Sequence, residues 1–136
     1  MNLQEVKKFM KEVPWGILAT SDGHKVGARP MGGWAWNKNQ LWCATDASSD
    51  KIAQLKKVPY AEYCFTDPQG KHLRIAGQCS ISTDNAEKLW LYKAVPALKD
   101  YIHDPAAPQY VVIKMTPDNI RFMSTTELKY TQIELK

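Results

Sequence analysis

Residues 41–58 hold the side chains whose types and spacing could bind an anion. A strand-like run ends in Asp-Ala-Ser-Ser, and a helix follows whose apolar residues recur at every third position, at Ile52, Leu55 and Val58. Ser48 and Ser49 precede this helix, and Lys51 falls in its first turn, where the helix dipole disfavours a cation. Free backbone N–H groups, two hydroxyls and an ammonium at one helix start together fit a phosphate group.

An ordinary helix cap explains the two serines equally well, because Ser-Ser-Asp before an apolar run is a capping signal. Arg29 lies in the strand just upstream and favours the phosphate interpretation, since its planar guanidinium can bind a phosphate through two parallel hydrogen bonds. A strand arginine and a solvated helix lysine are nevertheless the usual fate of both residue types. The candidate phosphate-binding residues are therefore Arg29, Ser48, Ser49 and Lys51, and the sequence leaves open whether Arg29 reaches the helix.

An aromatic cluster at Trp34 and Trp36, with Trp42 nearby, could form the wall of a site for a flat ring system. We expect Trp34 and Trp36 to share one face of the sheet, with Trp42 across from them. Filling the core is the alternative role for these side chains, because tryptophan contributes a large buried area.

No catalytic acid, base, nucleophile or metal ligand is predicted. The histidines at positions 24, 72 and 103 are isolated, and none has metal-ligand spacing with the cysteines. Cys43 has no neighbouring base that would activate it as a nucleophile.

The 136 residues fit one domain, residues 1–136, with a core large enough to need no disulfides. The net charge of +4 comes from 18 basic and 14 acidic residues that are scattered, so neither nucleic acid nor a membrane is an expected partner. The amphipathic N-terminus lacks the apolar run of a signal peptide. Three cysteines without a CxxC pair are typical of reduced thiols in a cytoplasmic protein.

The first half of the chain alternates a helix with hairpin signals. Apolar periodicity predicts a helix over residues 3–12 that ends before Pro14, then a strand over 15–20 and a returning strand over 24–36. Within that second strand Arg29 shares a face with Gly27 and Met31, and Pro30 belongs at a sheet edge because proline cannot donate to a ladder.

The second half adds strands over residues 60–66 and 72–83, a helix after Asp84, and a pair of strands over 110–115 and 120–123. We expect a tight turn at residues 116–119 and one more short strand within 130–135. Six or seven strands joined mainly by hairpins predict a mainly β fold, an antiparallel barrel with peripheral helices.

Taken together, these segments resemble the pyridoxamine 5′-phosphate oxidase-like, FMN-binding split-barrel family over nearly the whole chain. The resembling segments, in chain order, are residues 16–20 with 22–23, 28–31, 41–45 with Lys51 downstream, and 63–65 leading to 73–77. The closing residues 120–124 are most similar to the subgroup related to nitroimidazole-resistance reductases. The resemblance implies a split β-barrel of Greek-key type that forms a homodimer, with two FMN molecules bound at the subunit interface.

The same resemblance implies roles for individual residues. Arg29 and Lys51 would bind the phosphate, the backbone of Pro30 and Met31 would lie near the isoalloxazine, and Ala44 and Thr45 would contact it from the next strand. His72 and Leu73 would approach the flavin from the partner subunit. The chain departs from the vitamin B6 oxidases in having Asp50 where they have arginine, in having His72 where they have glutamine, and in lacking their C-terminal extension. We therefore do not expect pyridoxamine phosphate oxidase activity.

The expected function is that of a cytoplasmic FMN-binding oxidoreductase that reduces a small electron-poor or quinone-like compound with electrons from a nicotinamide donor. Three alternatives stay open: a flavin- or haem-binding stress protein without turnover, a deazaflavin-dependent enzyme, and a structural dimerisation module.

Overall fold

The structure, a computed structural model, describes residues 1–135. Its helices in this range are α1 (Leu3–Glu12), α2 (Asp50–Lys57), α3 (Asn85–Ala94) and a short 3₁₀ helix (Pro96–Asp100). Its strands are β1 (Gly16–Ser21), β2 (Val26–Met31), β3 (Trp34–Asn37), β4 (Gln40–Asp46), β5 (Tyr60–Thr66), β6 (His72–Ser82), β7 (Tyr110–Met123) and β8 (Thr131–Gln132). No helix within residues 1–135 has the length and apolar character needed to cross a bilayer.

All strands belong to one antiparallel sheet in the order β2-β1-β5-β6-β7-β4-β3, with β8 paired to β7. The predicted mainly β antiparallel split barrel with peripheral helices is confirmed as a curled half-barrel, and the short strand expected within residues 130–135 is β8. The two edge strands, β2 and β3, follow each other in the chain. The curled sheet is therefore open between two strands that only Gly32 and Gly33 connect.

The prediction of one continuous strand over residues 24–36 is wrong, because the chain divides at this glycine pair. Gly33 has a φ of +69°, in a region of backbone space that residues with a side chain rarely adopt. The chain can thus leave one edge of the sheet and enter the opposite edge within two residues.

The predicted turn at residues 116–119 is also wrong, because β7 runs without interruption through Pro117. The register with β6 shifts between Ala76 and Gly77, which leaves Asp118 as an extra residue in a β-bulge. A Cβ at Gly77 would lie 2.1 Å from the carbonyl oxygen of Thr116. The bulge therefore depends on glycine at that position.

The main core fills the inside of the curl, where buried apolar side chains of the strands pack against Val6 and Met10 of α1 and Ile52 and Leu55 of α2. Burial of this apolar surface is the principal stabilising contribution. A second, smaller cluster lies between the other face of the sheet and α3, with Trp42, Leu91, Leu98, Tyr110 and Val112 as its buried members.

The expected arrangement of the tryptophans is wrong in one respect. Trp42 pairs with Ala35, whereas Trp34 and Trp36 pair with Cys43 and Leu41. Because neighbouring residues of a strand face opposite sides of the sheet, Trp42 packs in the α3 cluster and the other two pack against the main core.

Candidate functional site

Arg29 lies on the inner side of β2, which alternates exposed and covered residues as the sequence predicted. Its Nη1 donates to the hydroxyl of Thr20 at 2.7 Å and to the carbonyl of Leu18 at 3.3 Å. The Thr20 hydroxyl in turn donates to Oε1 of Gln54 on α2. A Cβ at Gly27 would lie 2.4 Å from the Arg29 Nη2, so glycine gives the folded-back guanidinium its room.

Lys51 approaches the same place from the first turn of α2. Its Nζ donates to the hydroxyl of Thr45 at 2.8 Å. Burial lowers the pKa of Lys51, and the positive charge of Arg29 lowers that pKa further. Burial also lowers the pKa of Arg29, while the charge of Asp50 opposes this shift. Two cations that are far apart in the sequence therefore converge at the start of α2.

The hydrogen-bond partners of this cationic pair are neutral oxygens. The ion pairs found within residues 1–135 join Lys71 to Asp67, Arg74 and Arg121 to Glu62, and Lys114 to Glu87, so neither Arg29 nor Lys51 has a carboxylate within 4.0 Å. Both pKa values are lowered, which means that the folded protein disfavours the charged forms of Arg29 and Lys51. An anion bound between the two side chains would stabilise those charged forms by electrostatic attraction.

Ser48 and Ser49 hold the turn before α2 and do not cap the helix with their side chains. Oδ1 of Asp46 accepts from the backbone N–H of Ser48 at 2.7 Å and from its hydroxyl at 2.5 Å. The hydroxyl of Ser49 donates to the carbonyl of Asp46 at 2.7 Å, and Ser49 is the N-cap residue without a side-chain cap hydrogen bond. The predicted N-cap position at Ser49 is confirmed, but neither serine caps α2 through its side chain, so the first N–H groups of α2 have no side-chain acceptor from the cap residue.

The residues predicted near a flavin ring lie at the C-terminal ends of β2 and β4. The Ala44 N–H donates to the carbonyl of Gly33 at 3.1 Å, which places the glycine link beside the end of β4. Met31 is buried, and its carbonyl accepts from the hydroxyl of Tyr63 at 3.3 Å. Pro30 is exposed on the outer face of the edge strand, and Thr45 joins this region to the cationic pair through Lys51.

His72 and Leu73 do not join this cluster within one chain. The side chain of Leu73 is fully buried in the main core, so only its backbone is available to a molecule outside the protomer. Nδ1 of His72 lies 3.0 Å from the carbonyl of Gly70, and its Nε2 lies 2.8 Å from the hydroxyl of Tyr130. Because a carbonyl only accepts, the neutral ring carries its proton on Nδ1 and Nε2 accepts from Tyr130.

Thr20 and Gln54 are the site residues that the sequence interpretation missed. Gln54 follows Lys51 by three residues on α2, so helical spacing alone could have placed both on one face. Thr20 has no such signal, because only the pairing of β1 with β2 brings it beside Arg29.

A cleft of about 1410 Å³ opens next to this site and reaches Thr45 and Asp46. Its walls are α1 on one side and the segment from Trp90 to Tyr110 on the other, with β3 between them. Apolar clefts with a few polar groups are the usual form of small-molecule sites.

The described residues form neither a metal-binding cluster nor an activated thiol at Cys43 or Cys79. Residues 1–135 contain no group of three or more His, Cys, Asp or Glu that could hold a metal ion. Cys43, Cys64 and Cys79 are free thiols, and burial raises the pKa of Cys43 and of Cys79 to about 12. Such thiols stay protonated and unreactive at neutral pH.

Comparison with known proteins gives a family and a shared fold. The family model described as pyridoxamine 5′-phosphate oxidase like matches residues 2–133. A NimC/NimA family protein from Clostridium acetobutylicum is similar with a TM-score of 0.82 and 20% identity, over 96% of this chain and 91% of that one. No curated protein matches the chain significantly in sequence.

Two further solved structures share the fold at low identity. General Stress Protein 26 from Bacillus anthracis has a TM-score of 0.73 and 22% identity, over 94% of this chain and 98% of that one. A pyridoxamine 5′-phosphate oxidase-related, FMN binding protein from Nostoc punctiforme has a TM-score of 0.76 and 16% identity, over 96% of this chain and 88% of that one.

Proposed function

The chain belongs to the pyridoxamine 5′-phosphate oxidase-like family, and from that premise we propose that it is an FMN-dependent oxidoreductase of small electron-poor or quinone-like compounds. A nicotinamide donor would supply the electrons. FMN, when bound, would provide the redox chemistry of accepting a hydride and passing two electrons on. The Nostoc punctiforme neighbour, described as FMN binding, supports flavin as the cofactor.

The observation that carries the proposal is the convergence of Arg29 and Lys51 at the start of α2 without a carboxylate between them. Each cation is held by neutral acceptors, which fixes its position, and within residues 1–135 neither cation forms an ion pair with a carboxylate. A phosphate would accept from both side chains and from the free N–H groups of the first helical turn. The residues present therefore fit the phosphate of FMN, with Thr20 and Gln54 positioning Arg29.

The ring of the cofactor would lie against the ends of β2 and β4, at Pro30, Met31, Ala44 and Thr45. Hydride transfer needs no protein acid or base, so the chain would contribute binding, orientation and exclusion of water. The half-buried backbone link at Gly32 and Gly33 lines the cleft and adjoins this region.

Homodimerisation, with flavin at the subunit interface, is part of the proposal. Ile17 and Val26 on the outer face of β1 and β2 are 41% and 83% exposed, which is unusual for branched aliphatic side chains in a sheet. His72, held by Gly70 and Tyr130 and half-buried, would approach the flavin from the partner subunit, and Leu73 would contribute its backbone. The three free thiols favour a reducing, cytoplasmic location.

A second candidate is a stress protein that binds flavin or haem without turnover. The structural similarity to General Stress Protein 26 favours it, because that protein shares the fold over 94% of this chain. It would use the same cationic pair and cleft.

The testing experiment is native purification followed by mass spectrometry of the released ligand and by anaerobic mixing with NADH and NADPH. We expect FMN in the mass spectrum, bleaching of the flavin absorption by one donor, and recovery of the absorption when a quinone or nitroaromatic compound is added. A light-scattering mass of two chains would support the dimer.

Each other outcome identifies an alternative. A flavin that neither donor bleaches contradicts the reductase and leaves the stress protein, a Soret band indicates haem, and a released deazaflavin indicates that cofactor. If the protein takes up no flavin even when FMN is added in excess, the cofactor assignment is wrong and a structural module remains.

A further inference from the structure

The cleft beside β3 extends well beyond the cationic pair. Its volume of about 1410 Å³ exceeds the roughly 300–1,000 Å³ of a typical small-ligand site. Arg29 and Lys51 do not line it, and Thr45 is the residue through which it meets their site. The cleft therefore has room for a molecule other than a phosphate-anchored cofactor.

Aromatic side chains line the cleft on β3 and on the wall formed by the segment from Trp90 to Tyr110. Trp34 and Trp36 lie on β3, with their indole N–H groups donating to the carbonyl of Pro14 at 2.7 Å and to Sδ of Met10 at 3.2 Å. Trp90 and Tyr101 belong to the wall formed by residues 90–110, and these two residues are 39% and 77% exposed. The indole donors on β3 are already satisfied, and the exposed rings of Trp90 and Tyr101 can contact a planar apolar group.

One wall also carries three lysines of α1, here termed the lysine stripe: Lys7, Lys8 and Lys11. Lys7 is engaged, since its Nζ donates to the carbonyl of Lys38 at 3.3 Å and lies 5.3 Å from the ring centroid of Trp36. Lys8 and Lys11 are exposed, and in the part of the chain that the structure describes neither has a carboxylate within 4.0 Å. The acids of α1, Glu5 and Glu12, are not among the lining residues.

The carboxylates that do line the cleft are already bonded to their own loops. Oδ1 of Asp46 accepts from Ser48 at 2.7 and 2.5 Å. Oδ1 of Asp104 accepts from the N–H of Ala106 at 2.9 Å. The lining therefore holds three lysines against two carboxylates that are already engaged, so a ligand of the cleft would meet an excess of positive charge along α1.

We propose that this cleft binds the electron acceptor, and that the acceptor is a planar aromatic or quinoid compound bearing a carboxylate or sulfonate. Its ring packs between β3 and the wall that carries Trp90 and Tyr101, and its acidic group faces Lys8 and Lys11. This proposal rests on the proposed function, because it specifies the substrate class of the reductase. A quinone of this class takes up a hydride equivalent from the nicotinamide donor and one proton from solvent, and becomes the hydroquinone.

Matched probes test the charge preference without requiring turnover. 4-Nitrobenzoate and 4-nitrobenzamide share the ring and nearly the same shape, and they differ in charge. Their dissociation constants are measured by calorimetry on the full chain, both with FMN in excess and without it. We expect the nitrobenzoate to bind about tenfold more tightly, since each exposed ion pair contributes up to about fivefold.

The variants Lys8→Gln, Lys11→Gln and the double variant test the stripe, and Lys56→Gln is the matched control because Lys56 is an exposed helical lysine outside the cleft. The double variant should bring the two probes to within about twofold of each other, while its affinity for the nitrobenzamide stays unchanged. The control should keep the full preference.

The proposal would be overturned if the wild-type protein bound both probes with equal affinity. It would also be overturned if the double variant lost affinity for both probes to the same extent. The proposed reductase activity and the proposed anion preference can be contradicted independently of each other. Lysine-dependent binding of nitrobenzoate with a flavin that no nicotinamide bleaches supports the cleft and contradicts the reductase. Reoxidation of reduced flavin by both probes at equal efficiency supports the reductase and contradicts the anion preference.

Discussion

Replacing Lys51 with methionine should weaken FMN binding and leave the ligand-free protein at least as stable. Methionine keeps an unbranched apolar stem of similar length, so the substitution removes the ammonium with little loss of packing. The two expected effects have opposite signs, and this makes the prediction specific to a phosphate-binding role.

The size of the binding effect follows from the contacts of the ammonium. Of its three N–H donors one is used by Thr45, which leaves two for an anion. A charge-assisted hydrogen bond contributes about 1.5–3 kcal/mol, so the dissociation constant of FMN should rise about 10- to 150-fold.

The stability effect follows from the lowered pKa of Lys51. Because the folded-state pKa lies below the unfolded value, the folded chain disfavours the charge throughout the range below that lowered pKa, which includes neutral pH. Removing the charge should therefore hold or raise the thermal midpoint of the flavin-free protein.

The assay is a fluorescence titration of flavin-free protein with FMN and, in parallel, with riboflavin, which has the same ring but no phosphate. Lys51→Met should weaken the binding of FMN and leave the binding of riboflavin unchanged. The control Lys56→Met on the same helix should change the affinity for neither flavin. An equal loss of both flavins, or a lower thermal midpoint without ligand, would refute the reasoning, because either result would mean that Lys51 supports the ring or the fold.

Further predictions concern the fold around the site. Gly77→Ala should lower the free energy of unfolding by more than about 2 kcal/mol, because its Cβ would meet the Thr116 carbonyl at 2.1 Å, and an unchanged urea midpoint would show that the bulge can relax. Gln54→Leu removes the acceptor of the Thr20 hydroxyl and should lower the free energy of unfolding by about 1 kcal/mol, measured by urea unfolding. Equal urea midpoints of the variant and the wild type would contradict this prediction. Stability should fall as pH rises from about 9 to about 12, because the unfolded thiols of Cys43 and Cys79 ionise first while the folded ones stay protonated. The Cys43→Ala/Cys79→Ala variant should show a shallower decline in urea midpoints over that range, and identical slopes would contradict the thiol contribution.

Local signals predicted the elements that local forces determine. The bounds of α1 and β5 agree with the sequence interpretation, because apolar periodicity, Pro14 and a tight turn act within a few residues. The inward position of Arg29 was predictable from strand alternation, and so was the edge position of Pro30.

The misses have non-local causes. Pro117 with Asp118 and Asn119 looks like a turn, and only the close approach of Gly77 from the neighbouring strand makes a bulge there. The side of the sheet on which Trp42 lies depends on the register of β3 and β4, and a shift of one residue in that register would move its side chain to the opposite face. The contact of Thr20 with Arg29 needs a strand pairing that no helical or strand period encodes.

Pro30 restricts how two copies of this chain can associate. It lies in an edge strand whose outer rim faces solvent, and proline has no N–H to offer an incoming strand. A neighbour that tried to extend the sheet there would find its ladder interrupted. Extension of the sheet by a second copy of the chain is therefore disfavoured at the β2 edge, where each added strand would lose a hydrogen bond at Pro30.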